Sequence, residues 1–291
     1  MGTTADQPMA AEPMDQPADE WQADLLDLDA YLERIGHTGG LAPDAATLTA
    51  LHRAHVATIP FENLALMLDR PVRTDLGSVQ DKLVHQGRGG YCYEQNTLFG
   101  AVLQRLGFRL DRLLARVGSD QEPLRPRTHM VLSVEVGGRR MLADTGFGNG
   151  LLEPIPLEPD GPQQQGVWTY RTQGPDATGV RRFQELSGGE WQTRYRFTDE
   201  PQHAVDVVMS NHYTTTWPSS PFLQRPILIR REAGAGRELI GRQFSVVVPG
   251  RPTETIQLQD GAFLTALRDT YGLDLTPEEQ TLLTARLTPP Q

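Results

Sequence analysis

Apolar positions recur along this chain with two periods, and the change between them falls near residue 107. Before it the spacing is helical. Leu25, Leu28, Leu32 and Ile35 form one stripe and predict a short amphipathic helix over residues 24–35, broken by Gly39-Gly40. Asp44 is placed to cap a second helix whose apolar face includes Leu48, Leu51 and Val56 and which ends before Pro60. Pro60-Phe61-Glu62-Asn63-Leu64 reads as an extended link, residues 78–85 as a third helix stopped by Gly87, and residues 97–106 as a fourth. The fourth carries Leu98, Val102 and Leu106 on one face and stops at Gly107.

Beyond residue 107 the alternation moves towards two. Strands are predicted over residues 110–117, 128–136, 139–145, 167–172, 181–186 and 191–197. Gly137-Gly138 and Gly188-Gly189 suit two-residue hairpin turns. So many antiparallel strands with glycine turns predict a small barrel or curved sheet. A helix over 204–213, strands over 227–231, 243–248 and 255–258, and helices over 262–271 and 277–287 complete the chain. Helices, then strands, then a mixture fit an α+β fold rather than βαβ alternation.

Composition narrows the setting. Of 291 residues 38% are hydrophobic, enough for a proper core. Residues 1–20 are rich in Ala, Pro, Met and acids and predict a disordered acidic tail. Six acids and no Lys or Arg fall within residues 1–24, so the rest of the chain carries only −4 of the net −10. That balance, with no basic run interleaved with aromatics, argues against nucleic acid as a partner. The N-terminal pattern predicts no signal peptide, and no run of about 18 apolar residues predicts a membrane span, so a cytoplasmic protein is expected. A single cysteine excludes an intrachain disulfide and any multi-thiolate metal site.

That cysteine is the candidate chemistry. Cys92 follows Arg88-Gly89-Gly90-Tyr91 and sits at or near the first turn of the fourth helix, where unpaired amides and the helix dipole favour a thiolate. The two glycines are expected to let the backbone take conformations closed to other residues. A nucleophilic cysteine needs a base and an orienting group. Among seven histidines, His52 and His55 lie three apart on a helix but find no third metal ligand. His37, His85, His203 and His212 fall near loops or helix ends.

His129 is singled out by the hairpin. If Gly137-Gly138 is a two-residue turn, Val136 pairs with Arg139, Val131 lies opposite Asp144, and His129 lies opposite Gly146. His129 and Asp144 then share a face as diagonal neighbours, about 7–8 Å apart at the backbone. A slip of one residue would separate them. Gly146, facing the imidazole, leaves the space beside it open. A thiol, an imidazole and a carboxylate are what thiolate chemistry needs, the carboxylate fixing the ring's tautomer and stabilising its cation.

The nine residues from Arg88 to Asn96 closely resemble the cysteine signature of the arylamine N-acetyltransferases. The resemblance continues in Pro60–Leu64, Thr128-His129-Met130, Asp144–Gly148, Asn211-His212-Tyr213 and Ser220-Pro221-Phe222. It implies an N-terminal helical bundle (21–107), an antiparallel β-barrel (108–200) and a C-terminal α/β lid (201–291), with a Cys-His-Asp triad as in cysteine-protease-like folds. It also implies a xenobiotic-metabolising, ping-pong acetyl transfer from acetyl-CoA through S-acetylated Cys92 to an arylamine, arylhydrazine or N-hydroxyarylamine, with no metal.

Phe147, Phe61 and Phe222 are the acceptor-pocket candidates on this resemblance, and Thr216, Ser219 and Ser220 those for coenzyme A. Arg225, Arg230, Arg231 and Arg242 are the cations considered for its phosphates. Arg88 and Glu94 are expected to fix the helix start by charge pairing, and Glu62 to form a buried ion pair. An amide synthase of the same fold, releasing a polyketide chain, would carry the same triad. A papain- or transglutaminase-like hydrolase would share its residue types but not the Arg-Gly-Gly-x-Cys signature. A non-catalytic binding module with a structural cysteine is the remaining alternative.

Overall fold

The computed structural model describes residues 20–287, so the tail predicted at 1–20 lies, apart from Glu20, outside the described residues. The N-terminal segment is built from α1 (Leu28–Ile35) and α2 (Ala45–Thr58), a short strand β1 (Phe61–Glu62), α3 (Leu64–Met67), α4 (Leu76–Gln80) and α5 (Cys92–Arg105). Capping explains several of the starts. Asp27 accepts from the Ala30 amide at 3.0 Å, so α1 begins later than the apolar stripe suggested, behind one turn of 3-10 helix at Ala23–Leu25. Asp44 caps α2 through the Thr47 amide at 2.8 Å, as its spacing predicts. The helix expected over 78–85 divides into the end of α4 and a single π turn, Asp81–His85.

Helix α5 is the axis of the molecule. Every residue from Cys92 to Leu103 is buried, with Leu98, Phe99, Val102 and Leu103 fully so. A helix covered on all sides cannot be amphipathic, and each such side chain contributes about 1.5–3 kcal/mol through burial.

Eight strands follow: β2 (Arg109–Val117), β3 (His129–Val136), β4 (Arg139–Ala143), β5 (Ile155–Pro156), β6 (Gln163–Gln165), β7 (Trp168–Gln173), β8 (Arg181–Ser187) and β9 (Glu190–Phe197). They form one antiparallel sheet in the order β5-β4-β3-β2-β9-β8-β7-β6. The sheet curls until Thr172 Oγ1 of β7 donates to the Pro156 carbonyl of β5 at 2.9 Å, which nearly closes a barrel. Gly137 and Gly138 have φ of 58° and 74°, and the hairpin pairs Val136 with Arg139 and Leu132 with Ala143, the register a two-residue turn requires. Strand β3 is buried on both faces. Met130, Leu132 and Val134 join the core around α5, and Val131 joins the barrel's own core with Leu113, Ala115, Tyr170 and Phe183.

The chain continues through α6 (Ala204–Thr216), α7 (Pro221–Gln224), β10 (Ile227–Arg231), β11 (Gly236–Ile240), β12 (Gln243–Val247), β13 (Glu254–Gln257), α8 (Asp260–Tyr271) and α9 (Pro277–Arg286). Its sheet runs β1-β10-β11-β12-β13, with Phe61 opposite Ile229 and Glu62 opposite Leu228. The link expected at Pro60–Leu64 thus supplies, through Phe61–Glu62, the edge strand of the C-terminal sheet, which fastens the N-terminal helical segment to it. β11, with the sequence Gly-Arg-Glu-Leu-Ile, was not foreseen, because adjacent charges interrupt the alternation that marks a strand. Among the described residues no helix is long and apolar enough to cross a membrane.

Candidate active site

The site assembles where the start of α5 meets the ends of β3 and β4. Cys92 is the first residue of α5, and its Sγ lies 3.8 Å from the Thr128 carbonyl. The helix start is tied by Glu94, whose carboxylate accepts from the Tyr91 amide at 3.1 Å. Arg88 and Glu94, expected to fix the helix start by charge pairing, pair with other partners and not with each other. Arg88 reaches Glu279 of α9 at 3.0 Å, and Glu94 binds Lys82 at 2.7 Å, with fully buried Glu62 a further 3.9 Å from that ammonium. Three separated segments therefore converge by charge on the loop before Cys92.

Gly89 and Gly90 are required for space rather than for backbone freedom. A Cβ on Gly89 would lie 2.3 Å from the Pro60 carbonyl oxygen, and one on Gly90 would lie 2.7 Å from the Glu94 carboxylate. Neither has positive φ, so the conformational reason given by the sequence is corrected. Gly146 is corrected as well. The chain leaves the ladder after Ala143, and a Cβ on Gly146 would meet the Cys92 Cα at 2.5 Å instead of the space beside His129. Absence of a side chain there lets the chain after β4 press against the backbone of Cys92.

His129 and Asp144 are brought together as the hairpin predicts, with Nε2 and Oδ2 2.7 Å apart and both side chains buried. Asn96, one helical turn after Cys92, links this pair to α5. Its Nδ2 donates to Asp144 Oδ1 at 3.0 Å and to the Met130 carbonyl at 2.7 Å, and its Oδ1 accepts from the Thr145 amide at 3.0 Å. Asp144 Oδ1 also accepts from the Gly146 amide at 3.1 Å. Phe147 and Tyr195 pack on the imidazole, each with its ring centre 4.9 Å away. Desolvation alone would lower the His129 pKa, but the charge and hydrogen bond of Asp144, reinforced by the Cys92 side chain, hold it at about 10. Desolvation opposes ionisation of Asp144 too, yet His129, Asn96 and the Gly146 amide hold its carboxyl below the usual range. The pair is an imidazolium and a carboxylate at neutral pH.

This coupling makes a stability prediction. His129 titrates higher in the fold, at about 10, than the 6.5 of a free histidine. Its contribution is then complete below about pH 6.5 and is lost as pH rises through about 10. The difference in unfolding free energy between the protein and His129→Gln should shrink steadily across that span. Urea titrations giving a difference independent of pH would contradict it.

Cys92 and His129 open into a cavity of about 440 Å³. Phe147, Phe61 and Phe222, the predicted pocket aromatics, all line it, as do Ser219 and Ser220. Phe222 stacks on Tyr91 at 5.5 Å, and Asn63 holds its loop by donating to the Phe222 carbonyl at 2.8 Å and accepting from the Ile227 amide at 2.7 Å. Helix α6 is docked by Asn211, which accepts from the Tyr91 hydroxyl at 2.5 Å. Thr216 lies outside the lining, on exposed helix, and its hydroxyl turns back to the His212 carbonyl at 2.6 Å.

The four arginines considered for phosphates do not line the cavity either. Arg230 donates to the Thr270 and Ala57 carbonyls, Arg231 is buried against Glu185 and Tyr170, Arg242 pairs with Asp260, and Arg225 is exposed elsewhere. Among the described residues the arginine that lines the cavity is Arg125, which pairs with Glu122 at 2.7 Å. It sits in a loop without periodicity, so no pattern pointed to it.

His52 and His55 are fully buried, with both ring nitrogens of each used by protein groups. His52 lies between the Leu152 carbonyl and the Asp144 amide, and His55 between the Tyr31 hydroxyl and Gln95 Oε1. No lone pair is left for a metal at either ring. His52, Asn96 and Tyr195 were not assigned to the site from the sequence. For Asn96 a signal existed, the four-residue spacing from Cys92 that places both on one helix face.

A family model described as N-acetyltransferase matches residues 44–280. The chain is 41% identical over 261 residues to an arylamine N-acetyltransferase of Mycolicibacterium smegmatis, covering 86% of this chain and 93% of that protein. Its fold is similar to that of the arylamine N-acetyltransferase from Mycobacterium abscessus, with a TM-score of 0.88, 35% identity and coverage of 94% and 99%. It is also similar to the Mycobacterium marinum arylamine N-acetyltransferase solved in complex with CoA, with a TM-score of 0.83, 33% identity and coverage of 90% and 98%.

Proposed function

The chain belongs to the arylamine N-acetyltransferase family, and on that premise we propose that it moves an acetyl group from acetyl-CoA to an arylamine, arylhydrazine or N-hydroxyarylamine by way of Cys92. The observation that carries this reading is the buried 2.7 Å His129–Asp144 pair set beside Cys92 at an apolar cavity.

In the first half-reaction the Cys92 thiolate, paired with the His129 imidazolium, attacks the acetyl carbonyl carbon. The carbon–sulfur bond to coenzyme A breaks, and the departing thiolate takes the proton from His129. In the second, the acceptor nitrogen, or the hydroxyl oxygen of an N-hydroxyarylamine, attacks S-acetyl-Cys92. Its proton passes to His129, and the Cys92 thiolate is expelled. Asp144 keeps the ring in the orientation both steps need and stays ionised throughout.

Phe147 beside His129, with Phe61 and Phe222 across the cavity, would hold the flat acceptor ring by stacking and burial. Ser219 and Ser220 would meet the coenzyme, and Arg125 is the cation at hand for its phosphates.

Incubation with acetyl-CoA alone, followed by intact mass measurement, tests the reading. One added acetyl group should appear and should vanish when an arylamine is supplied, with the N-acetylated amine as product. A protein that never gains the group refutes the transfer. One that gains it and loses it to water equally fast with or without amine is a hydrolase.

A further inference from the structure

We propose that His52 is a positioning residue for Asp144, holding that residue's backbone through the lone pair of one fixed imidazole tautomer. The inference rests on the proposed role of Asp144. Strand β4 ends at Ala143, so the β3–β4 ladder no longer holds the backbone of the next residue. There His52, reaching in from α2 across 92 positions of sequence, places Nε2 3.2 Å from the Asp144 amide nitrogen.

An amide N–H can only donate, so Nε2 must present its lone pair. The ring hydrogen is therefore on Nδ1, which lies 3.1 Å from the Leu152 carbonyl and donates to it. The two bonds specify one tautomer and one ring orientation, and the edge-on contact with Phe99, 5.6 Å between ring centres at 88°, restricts the ring further. His52 is fully buried, and desolvation pushes its pKa down to about 4 against the weaker pull of Asp144, so the ring stays neutral.

The carboxylate of Asp144 is aimed by His129, Asn96 and the Gly146 amide, but those bonds fix only the side chain. The Cα from which the side chain hangs lies between two anchored peptides, the following one held by Asn96 at the Thr145 amide and the preceding one held by His52 at the Asp144 amide. Without the bond to His52 a buried N–H would be orphaned, and the loop from Asp144 to Leu152 would lose the post that both its ends bind. A displacement of that kind at a positioning group is worth about a hundredfold in rate.

The test uses the full chain and the rate of acetyl-enzyme formation at saturating acetyl-CoA, with Tm and the KM for acetyl-CoA measured beside it. His52→Leu fills similar space without an acceptor and should slow acetylation about ten- to a hundredfold while KM stays within a few fold. His52→Gln can set its carbonyl oxygen where Nε2 lies and should restore most of the rate.

Nitrogen NMR on the histidine-labelled wild-type protein, with the His52 signals identified by their loss in His52→Gln, should report the neutral Nδ1–H form. A stable His52→Leu protein that acetylates at the wild-type rate overturns the proposal, as does a glutamine variant no faster than the leucine one. If the leucine variant does not fold, the tautomer decides, and an Nε2–H ring overturns the proposal. A wild-type protein that never takes the acetyl group refutes the proposed function instead, and the tautomer measurement still judges His52 separately.

Discussion

Cys92→Ser should fold as the wild type does and take up no acetyl group from acetyl-CoA. Oxygen is smaller than sulfur, and Cys92 faces the cavity with a long contact to the Thr128 carbonyl and its side chain towards His129, where a hydroxyl can still hydrogen-bond, so unfolding free energy should change by about 1 kcal/mol. The chemical effect is of another size. A serine hydroxyl is far less acidic than a thiol, so the His129 ring, which Asp144 still favours as the cation, faces a neutral hydroxyl and has little capacity left to accept its proton. Turnover should fall on the order of ten-thousandfold or more, the scale seen when a member of a catalytic triad is lost. Intact mass after incubation with acetyl-CoA checks it directly. An acetylated Cys92→Ser protein would mean that another group carries the intermediate.

Asp144→Asn should be nearly as damaging although it changes one atom. Asp144 Oδ1 accepts from Asn96 Nδ2 and from the Gly146 amide, both of which can only donate. An asparagine must keep its oxygen at that position, which turns its NH2 towards His129 Nε2. The ring can answer only by offering a lone pair there and carrying its hydrogen on the other nitrogen, the one left to serve Cys92. His129 is then a neutral donor facing a thiol rather than a cation facing a thiolate. The expected loss in the acetylation rate constant is about ten-thousandfold, with affinity for acetyl-CoA kept. Rapid-mixing measurement of coenzyme A release would show it. A variant within tenfold of wild type would remove Asp144 from the mechanism.

Much of this site was legible because its key relations are local. The cysteine lies beside a glycine pair and a helix stop, and helix starts are marked over a few residues. His129 and Asp144 are joined by one hairpin whose two-residue turn sets the register, and register decides which face each side chain takes. Strands with alternating residues between paired glycines were found to within a residue or two. Short strands at sheet edges were not: β1, β5 and β6 have two or three residues each, too few to show a period. The reason for glycine at 89, 90 and 146 was also misjudged, because close approach of a distant segment leaves no trace in the neighbouring sequence.

By itself, then, the sequence determined the candidate nucleophile, base and orienting carboxylate and the order of most of the helices and strands that carry them, since periodicity and turn chemistry act between near neighbours. Only the tertiary structure decided that Arg88 answers Glu279 rather than Glu94, that Asn96 and His52 grip Asp144 from two helices, and that Tyr195 closes on the imidazole. It also placed Arg125 instead of Arg225, Arg230, Arg231 or Arg242 at the cavity. These contacts join residues far apart in the chain, and their partners are selected by how whole elements pack, a property that no window of sequence contains.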